Sequence, residues 1–267
     1  MALLTLSNIH KTFEKGTVNE NHVLRGLDLD IEQGDFISVI GGNGAGKSTL
    51  MNSIAGVVDI DDGDILLEGE SIRKTSVAAR SKDISRVFQD PRMGTATHLT
   101  IEENMAIAYH RGKKRSFFKK SILEQERELF KEILTELGLG LENRMKTDAA
   151  FLSGGQRQAL TLAMATLVRP KILLLDEHTA ALDPKTSDMV MHLTKKIVEE
   201  QELTTLMITH NMEHAIEYGN RLIMLYHGKI VVDVYGDEKK NLTVAQLMDL
   251  FHKNSGQALT DDALVLG

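Results

Sequence analysis

The sequence predicts an α/β fold in which a parallel sheet is buried between helices, with an additional antiparallel sheet and an inserted helical segment. Short continuous apolar runs, typical of parallel strands covered on both faces, occur at residues 36–40, 172–175 and 205–208. Alternation of apolar and polar residues, typical of half-exposed antiparallel strands, occurs at residues 3–9, 27–31 and 65–68. The charged segment 100–141 carries apolar residues at helical spacing from Ile122 to Leu137 and stops at Gly138. We interpret this apolar stripe as the core face of a helical subdomain without chemistry of its own.

Composition excludes several classes of protein. The 267 residues include no cysteine, so disulfides and thiol catalysis are excluded. The start of the chain has no basic signal sequence, and no run approaches the roughly 18 apolar residues that span a bilayer. A formal net charge of -7 argues against nucleic acid as a partner. If the protein works at a membrane, we expect a partner to supply the membrane part.

A glycine-rich string between a predicted strand and a predicted helix carries the first chemical signal. Residues 41–49 read Gly-Gly-Asn-Gly-Ala-Gly-Lys-Ser-Thr and follow the apolar run 36–40. Such a loop aims backbone N–H groups and the positive end of a helix at anionic oxygens. Lys47 would reach the β- and γ-phosphates of a nucleotide, and the Ser48 hydroxyl would ligate Mg²⁺. The alternative is an ordinary glycine-rich turn, but strand and helix lie where a phosphate loop needs them, which predicts a P-loop NTPase core of the RecA-like type.

We expect one domain of four parts around this core. Residues 1–95 would hold the N-terminal strands and the phosphate loop, and residues 96–158 an inserted α-helical subdomain. Residues 159–240 would complete the core, and residues 241–267 would form a C-terminal helix and tail. The tail helix is predicted at residues 243–251, with the chain loosely held from Asn254 onward.

An acidic pair follows the second buried run. Asp176 and Glu177 end the string Lys-Ile-Leu-Leu-Leu-Asp-Glu, at the edge of a doubly wound sheet where ligands bind. Because adjacent residues on an extended strand point in opposite directions, the two carboxylates should not share a task. We assign Asp176 to the Mg²⁺ shell and Glu177 to polarising the attacking water. The alternative is an acidic pair that only opens a loop or caps a helix.

A second anion-binding surface is predicted at the start of the next helix. Ser153, Gly154, Gly155 and Gln156 precede a good helix-forming segment, and Ser153 with Gln156 fits a capping box. Two glycines in the first turn cost stability that a mere cap would not require. A helix start without side chains, fronted by a hydroxyl, is suited to receiving an anion.

Taken together, these strings resemble the ATP-binding cassette (ABC) ATPases over nearly the whole chain. The resemblance rests on the phosphate loop, Gln89, the Leu-Ser-Gly-Gly-Gln string at 152–156, the acidic pair, Asp183 and His210. In that family two cassettes face head to tail, and each ATP lies between the phosphate loop of one subunit and the signature helix of the other. The resemblance implies an ATP-hydrolysing enzyme that uses ATP and Mg²⁺ and pairs with a second copy of itself.

The resemblance also implies roles for individual residues. The nucleotide phosphates would be bound by Gly42, Asn43, Gly44, Ala45, Gly46, Lys47, Ser48 and Thr49. The partner's γ-phosphate would be contacted by Ser153, Gly154, Gly155 and Gln156. Gln89 resembles the loop glutamine that senses Mg²⁺ and the membrane partner. Asp183 resembles the loop residue that crosses the dimer interface, and His210 resembles the switch histidine that contacts the γ-phosphate. The implied catalytic set is therefore Glu177, His210 and Lys47, and the implied metal set is Ser48, Gln89 and Asp176.

Two positions depart from the usual family pattern. The aromatic residue that stacks on adenine has one candidate here, Phe13; it has the π-face that stacking needs, and the alternative is a core phenylalanine. His178 stands where many cassettes have proline, and we expect no catalytic change from it. Outside these strings, residues 111–120 hold six cations and no acid, which indicates a solvated loop or, alternatively, a surface for anionic lipid or an acidic permease loop.

A finer resemblance is to the ATPase component of bacterial importers assigned to tryptophan and tyrosine. It rests on residues 41–46, 86–91, 176–183 and 239–243. Such systems pair the ATPase with an integral-membrane permease and an extracytoplasmic solute-binding protein, so the resemblance implies a peripheral protein at the cytoplasmic face of the membrane. Two alternatives remain open, an exporter ATPase and a non-transport ABC ATPase.

Overall fold

The structure is a computed structural model that describes residues 2–112 and 122–255. The strands are β1 (Leu4–Phe13), β2 (Asn21–Ile31), β3 (Phe36–Ile40), β4 (Asp62–Leu67), β5 (Glu70–Ser71), β6 (Ile84–Val87), β7 (Ile172–Asp176), β8 (Thr204–Ile208), β9 (Arg221–Tyr226) and β10 (Lys229–Tyr235). The helices are α1 (Lys47–Ala55), α2 (Val77–Arg80), α3 (Ile101–Tyr109), α4 (Glu124–Glu136), α5 (Gly154–Thr166), α6 (Pro184–Glu200), α7 (Met212–Glu217), α8 (Gly236–Lys240) and α9 (Val244–Ser255). Two 3-10 turns, Leu141–Asn143 and Ala149–Phe151, lie between α4 and α5. The α/β prediction is confirmed.

The chain divides into two compact units. The first consists of Met1–Arg80 and Thr204–Gly267, and the second of Ser81–Leu203. The four-part division expected from the sequence stays a prediction.

The first unit contains an antiparallel sheet and a set of parallel strands, as the two kinds of hydrophobic pattern predict. The antiparallel sheet has the strand order β2-β1-β4-β5. In the parallel set, β3 is the middle strand, flanked by β8 and β9, and β10 pairs antiparallel with β9. All residues of β3 and β8 are buried, which explains their continuous apolar sequences. Against β9 and β10 packs an apolar cluster to which α9 contributes Leu247 and Phe251.

The C-terminal helix extends further than the sequence predicts. We expected a helix over residues 243–251 and a loosely held chain from Asn254, but α9 continues to Ser255. The Asn254 side chain donates to the Val231 carbonyl oxygen at 2.7 Å. This contact with β10 holds the last turn, so the prediction was wrong for Asn254.

The second unit carries the helical insert. Here β6 and β7 form a parallel pair, and α3, α4, α5 and α6 are the main helices. The apolar stripe predicted between residues 122 and 137 is the inner face of α4, where Phe130 and Leu134 are fully buried. Among the described residues, no helix combines the length and apolarity that a membrane crossing requires.

The basic segment differs from its predicted solvated state at its first residue. Arg111 is partly buried, its Nη2 donates to the Val168 carbonyl at 3.1 Å, and burial lowers the pKa of its guanidinium. Arg111 is therefore packed against its own chain. Residues 113–120, which carry the rest of the predicted basic surface, lie outside the described residues.

Candidate functional site

The phosphate loop lies at the carboxyl end of the buried strand β3. Three of its glycines have backbone angles that other residues rarely adopt, with φ of +148° at Gly41, +74° at Gly44 and +107° at Gly46. A Cβ atom at Gly41 would lie 2.3 Å from the carbonyl oxygen of Leu225, which leaves no space for a side chain. Gly46 is the N-cap of α1, so the helix begins directly at Lys47. The result is the strand, tight loop and helix start that phosphate binding needs.

Lys47 is folded into this loop. Its side chain is buried, and its Nζ donates to the carbonyl oxygens of Gly41 at 2.6 Å and Gly42 at 3.2 Å. The carbonyls orient a compact positive charge within the turn, next to the amino end of α1. Ser48, in the first turn of α1, is exposed and presents its hydroxyl at the same end of the helix. The arrangement can hold a phosphate group by both charge and backbone dipoles.

His210 lies at the same edge of the first unit as the phosphate loop. Strands β3 and β8 are parallel neighbours with Val39 opposite Ile208, and the Thr209 amide donates to the Val39 carbonyl at 3.2 Å. His210 follows directly, and Asn211 then caps α7 by accepting from the His214 amide at 2.8 Å. Because parallel strands end at a common edge, the predicted loop lysine and switch histidine share that edge.

Phe13 ends β1, where it pairs with Asn21 of β2. Its side chain is 37% exposed, and Lys11 Nζ lies 5.3 Å from the ring centroid. Two residues further along β2, the Val23 carbonyl oxygen would lie 3.2 Å from a Cβ atom at Gly46. The ring is therefore a partly exposed surface on the strand pair beside the phosphate loop, and the alternative interpretation as a core residue was wrong.

The acidic pair in the second unit has a different backbone geometry from the one expected. Asp176 is the last residue of β7, and its carboxylate forms an ion pair with Arg86 of β6. Glu177 has a φ of +48°, so the chain leaves the extended conformation at this residue. The premise that both residues lie on one extended strand was wrong, because β7 ends at Asp176 and Glu177 has a left-handed backbone. Both side chains are partly buried.

The donor set fits Mg²⁺ by its chemistry. The predicted ligands are the Ser48 hydroxyl, the Gln89 side-chain oxygen and the Asp176 carboxylate, all of them hard oxygen donors. In the part of the chain that the structure describes, no three histidine or acidic side chains converge to hold a metal. Mg²⁺ in nucleotide enzymes is commonly held by one or two carboxylates together with water and substrate phosphates. The chemistry of these donors is therefore compatible with an ion that also takes ligands from water and a nucleotide.

The signature helix α5 begins as the sequence predicts. The Ser153 Oγ accepts from the Gln156 amide and the Gln156 Oε1 accepts from the Ser153 amide, each at 3.2 Å, which confirms the capping box. Ser153 and Gly154 are exposed, whereas Gly155 is buried. A Cβ atom at Gly155 would lie 2.3 Å from the Thr186 methyl group on α6. Packing within the chain thus explains the second glycine, and Ser153 and Gly154 form the surface open to an anion.

Gln89 and Asp183 both lie on segments that contact the signature helix. Gln89 is exposed, two residues beyond β6, and the preceding Phe88 carbonyl accepts from the fully buried Gln158 of α5 at 3.3 Å. Asp183 caps α6 by accepting from the Thr186 amide at 3.1 Å. Hydrogen bonds from Thr186, chiefly from its hydroxyl and then from its amide, lower the pKa of the Asp183 carboxyl group. The second unit therefore links the Gln89 loop, the signature turn and the Asp183 loop through α5.

Sequence reasoning assigned no role to three residues that anchor these segments. They are Arg86, which binds Asp176, Gln158, which binds the Phe88 carbonyl, and Thr194, which binds His178. For Arg86 and Gln158 the sequence offered only their position, because they stand close to Gln89 and to the 152–156 motif. Thr194 had no signal, because its partner is 16 residues away.

Comparison with known proteins identifies the family. The "ABC transporter" family matches residues 24–180. The "Tyrosine transport ATP-binding protein" of Clostridioides difficile (strain R20291) is 45% identical over 249 residues, covering 93% of this chain and 98% of the relative. The "Phosphonates import ATP-binding protein PhnC" of Lactobacillus johnsonii (strain CNCM I-12250 / La1 / NCC 533) is 32% identical, covering 98% of this chain and 100% of the relative.

A solved structure supports the same conclusion. The dimeric post-hydrolysis state of the ATP-binding cassette MJ0796, bound to ADP and Pi, matches with a TM-score of 0.74 and 30% identity. The match covers 87% of this chain and 98% of that chain. The predicted P-loop NTPase fold and the predicted family are both confirmed. The chain therefore belongs to the ABC transporter family, as an ATP-binding cassette ATPase subunit of a transporter.

Proposed function

We propose that two copies of this chain close around two ATP molecules and drive a permease that imports an aromatic amino acid, with tyrosine as the first candidate. The observation that carries the substrate proposal is the 45% identity, over 93% of this chain, to a protein named for tyrosine transport. A second relative, named for phosphonate import, supports the import direction. A cassette works on the cytoplasmic side of a permease, and an extracytoplasmic solute-binding protein would deliver the solute.

In this proposal the phosphate loop and α1 bind the nucleotide. Lys47, already held inside the loop by the Gly41 and Gly42 carbonyls, places its charge against the β- and γ-phosphates. Ser48, Gln89 and Asp176 would hold Mg²⁺, which when bound would neutralise charge on the phosphate oxygens. Phe13 stacks on the adenine ring by its exposed face.

Glu177 is the proposed general base, and His210 contacts the γ-phosphate. A carboxylate that accepts a proton from water accelerates the attack on phosphorus by roughly 10²–10⁴-fold. Glu177→Gln keeps the shape but removes the base, so we expect turnover to fall by about that factor while ATP binding is retained. Lys47→Ala is the matched control, since it should weaken ATP binding itself. ATP hydrolysis by Glu177→Gln at the parental rate would overturn the assignment of the base.

Dimerisation follows from the exposed signature turn. Ser153 and Gly154 present a hydroxyl and a helix start to the γ-phosphate bound by the partner copy. Because only the closed pair completes both nucleotide sites, ATP should favour the dimer. The test is light scattering with Glu177→Gln, which should dimerise with ATP and stay monomeric with ADP. Ser153→Glu should abolish the dimer while leaving ATP binding intact, and a monomer of Glu177→Gln in saturating ATP would contradict the proposal.

The transport part is tested with the assembled system. The chain should co-purify from membranes with a multi-spanning permease, and reconstituted proteoliposomes should hydrolyse ATP faster when the binding protein carries L-tyrosine. L-Tryptophan and a phosphonate serve as comparison solutes. Stimulation by the phosphonate alone would replace the proposed substrate class, and ATP-driven loss of solute from the compartment facing the cassettes would reverse the proposed direction.

A further inference from the structure

The residue after the proposed base is hydrogen-bonded to α6, the next helix along the chain. His178 follows Glu177 directly, and its side chain is only 2% exposed. Its Nε2 lies 3.0 Å from the hydroxyl oxygen of Thr194, which is fully buried on α6. A buried imidazole in hydrogen-bond contact with a buried hydroxyl is a fixed contact, because leaving either group unpaired away from water is costly.

The direction of this hydrogen bond follows from the second bond of the hydroxyl. The Thr194 Oγ1 donates its hydrogen to the Val190 carbonyl at 2.8 Å, one turn earlier on α6. The hydroxyl has a single hydrogen, so towards His178 its oxygen can only accept. His178 therefore donates from Nε2, and the chain His178 to Thr194 to Val190 runs in one direction.

The backbone at Glu177 makes this anchor relevant to the site. Glu177 has a φ of +48°, a left-handed conformation that is uncommon for a residue other than glycine and persists when its surroundings hold it. On one side Asp176 is bound to Arg86, and on the other side His178 is bound to Thr194. The left-handed backbone at Glu177 thus lies between two neighbours that are each held by another element, and the Ala180 amide donates to the Glu177 carbonyl at 2.9 Å.

We propose that His178 is a positioning residue for ATP hydrolysis: its Nε2–H bond to Thr194 holds Glu177 in the left-handed conformation that aims the carboxylate. This inference rests on the proposed role of Glu177 as general base. His178 itself transfers no proton, because its Nε2 hydrogen is used by Thr194 in a buried contact. The same bond ties the proposed base to α6, the helix that Asp183 caps.

The experiment distinguishes the effect of the Nε2 hydrogen bond from the effect of the volume of the imidazole ring. In His178→Gln the side-chain amide nitrogen takes the place of Nε2, whereas in His178→Asn it takes the place of Nδ1 and falls short of Thr194. A small displacement of a reacting group is enough to slow catalysis strongly, so we expect kcat of His178→Asn to fall about tenfold. His178→Gln should stay within about threefold of the parent, with an unchanged pH profile. The dissociation constant for ATP, measured by nucleotide fluorescence, should change less than about twofold in both variants.

A second pair of variants tests the same bond from α6. Thr194→Val removes the hydroxyl at nearly equal volume and should lower kcat as His178→Asn does, whereas Thr194→Ser keeps the hydroxyl and should be near parental. The double variant His178→Asn with Thr194→Val should be no slower than either single variant, because both break one bond. Thermal unfolding of every variant checks the fold, and the Thr194 pair decides the question if His178→Asn does not fold.

The outcomes distinguish the two levels of the proposal. Glu177→Gln is measured in parallel: if it retains turnover, the proposed base is wrong. If Glu177→Gln is inactive while His178→Asn and Thr194→Val keep parental kcat, the base stands and the positioning role is overturned. Loss of activity in His178→Gln equal to that in His178→Asn would likewise overturn the Nε2 contact and point to the ring itself.

Discussion

The buried guanidinium of Arg80 joins the end of α1 to the segment before α2. This arginine at the end of α2 is 6% exposed, and its guanidinium donates to the Ser53 and Ile54 carbonyls at 2.7 and 2.9 Å, at the carboxyl end of α1. It also donates to the Ile72 and Arg73 carbonyls at 2.6 and 3.2 Å. Burial lowers the pKa of the guanidinium, and the charge lies at the negative end of the phosphate-loop helix.

The expected cost of Arg80→Met follows from the acceptors that lose their donor. Among the described hydrogen bonds, those to the Ile54 and Arg73 carbonyls come from Arg80 alone. An unpaired carbonyl costs about 1–3 kcal/mol when it is buried, as at Ile54, and less when it is partly buried, as at Arg73. Methionine keeps most of the apolar packing of the stem. We therefore expect Arg80→Met to lower the free energy of unfolding by about 2–4 kcal/mol.

The assay is urea unfolding followed by circular dichroism, with thermal unfolding as a second measurement. A loss of about 3 kcal/mol corresponds to a fall in Tm of about 6–12 °C for a chain of this size. Arg80→Lys is the control, since it keeps the charge but cannot reach both sets of carbonyls, and we expect an intermediate loss. A change below about 1 kcal/mol for Arg80→Met would show that these carbonyls do not depend on Arg80.

Three further predictions concern the second unit. Asp183→Ala should lower the free energy of unfolding by removing the α6 cap, whereas Asp183→Asn can still accept from the Thr186 amide and should lower it less; equal losses in urea titrations would contradict the cap. Gly155→Ala should lower the free energy of unfolding by about 1–3 kcal/mol, because the new Cβ would lie 2.3 Å from the Thr186 methyl group. An unchanged stability would mean that packing within the chain does not require this glycine. The pKa of Glu103 lies below its usual value of 4.5 because the Thr100 amide and hydroxyl donate to its carboxylate. The ionised carboxylate therefore stabilises the fold fully above pH 4.5, and this stabilisation is lost as the pH falls through the lower pKa of the folded state. Glu103→Gln should flatten the acid limb of the stability curve, and an unchanged limb would contradict this.

The secondary structure was predictable wherever burial alone determines it. The apolar runs 36–40 and 205–208 match β3 and β8 within one residue, because a strand buried on both faces is mostly apolar and its few polar residues need partners, as the Ser38 hydroxyl has in the Tyr218 carbonyl. The tail was mispredicted for the opposite reason. The last turn of α9 is held by a side-chain bond from Asn254 to Val231, and no local pattern reveals a partner 23 residues away.

The functional strings were predictable because their chemistry is local. Lys47 and Ser48 stand in one loop, and the capping box of Ser153 and Gln156 is closed within three residues. The conformation of Glu177 was not predictable, since glutamate has no preference for a left-handed backbone and the sequence indicated an extended strand.

The sequence motifs do not reveal which contacts orient their side chains. Arg86 meets Asp176 across 90 residues of sequence, and His178 meets Thr194 across 16. Such pairs are invisible to spacing rules because the strand and helix that carry them become neighbours only in the folded chain. In the proposed mechanism, cassettes with the same motifs would differ in how firmly the proposed base is held, and His178, expected from sequence to be without consequence, becomes a candidate for setting the rate. The motifs predict which reaction the chain performs, and the proposed anchors would set how well the reacting groups are aligned.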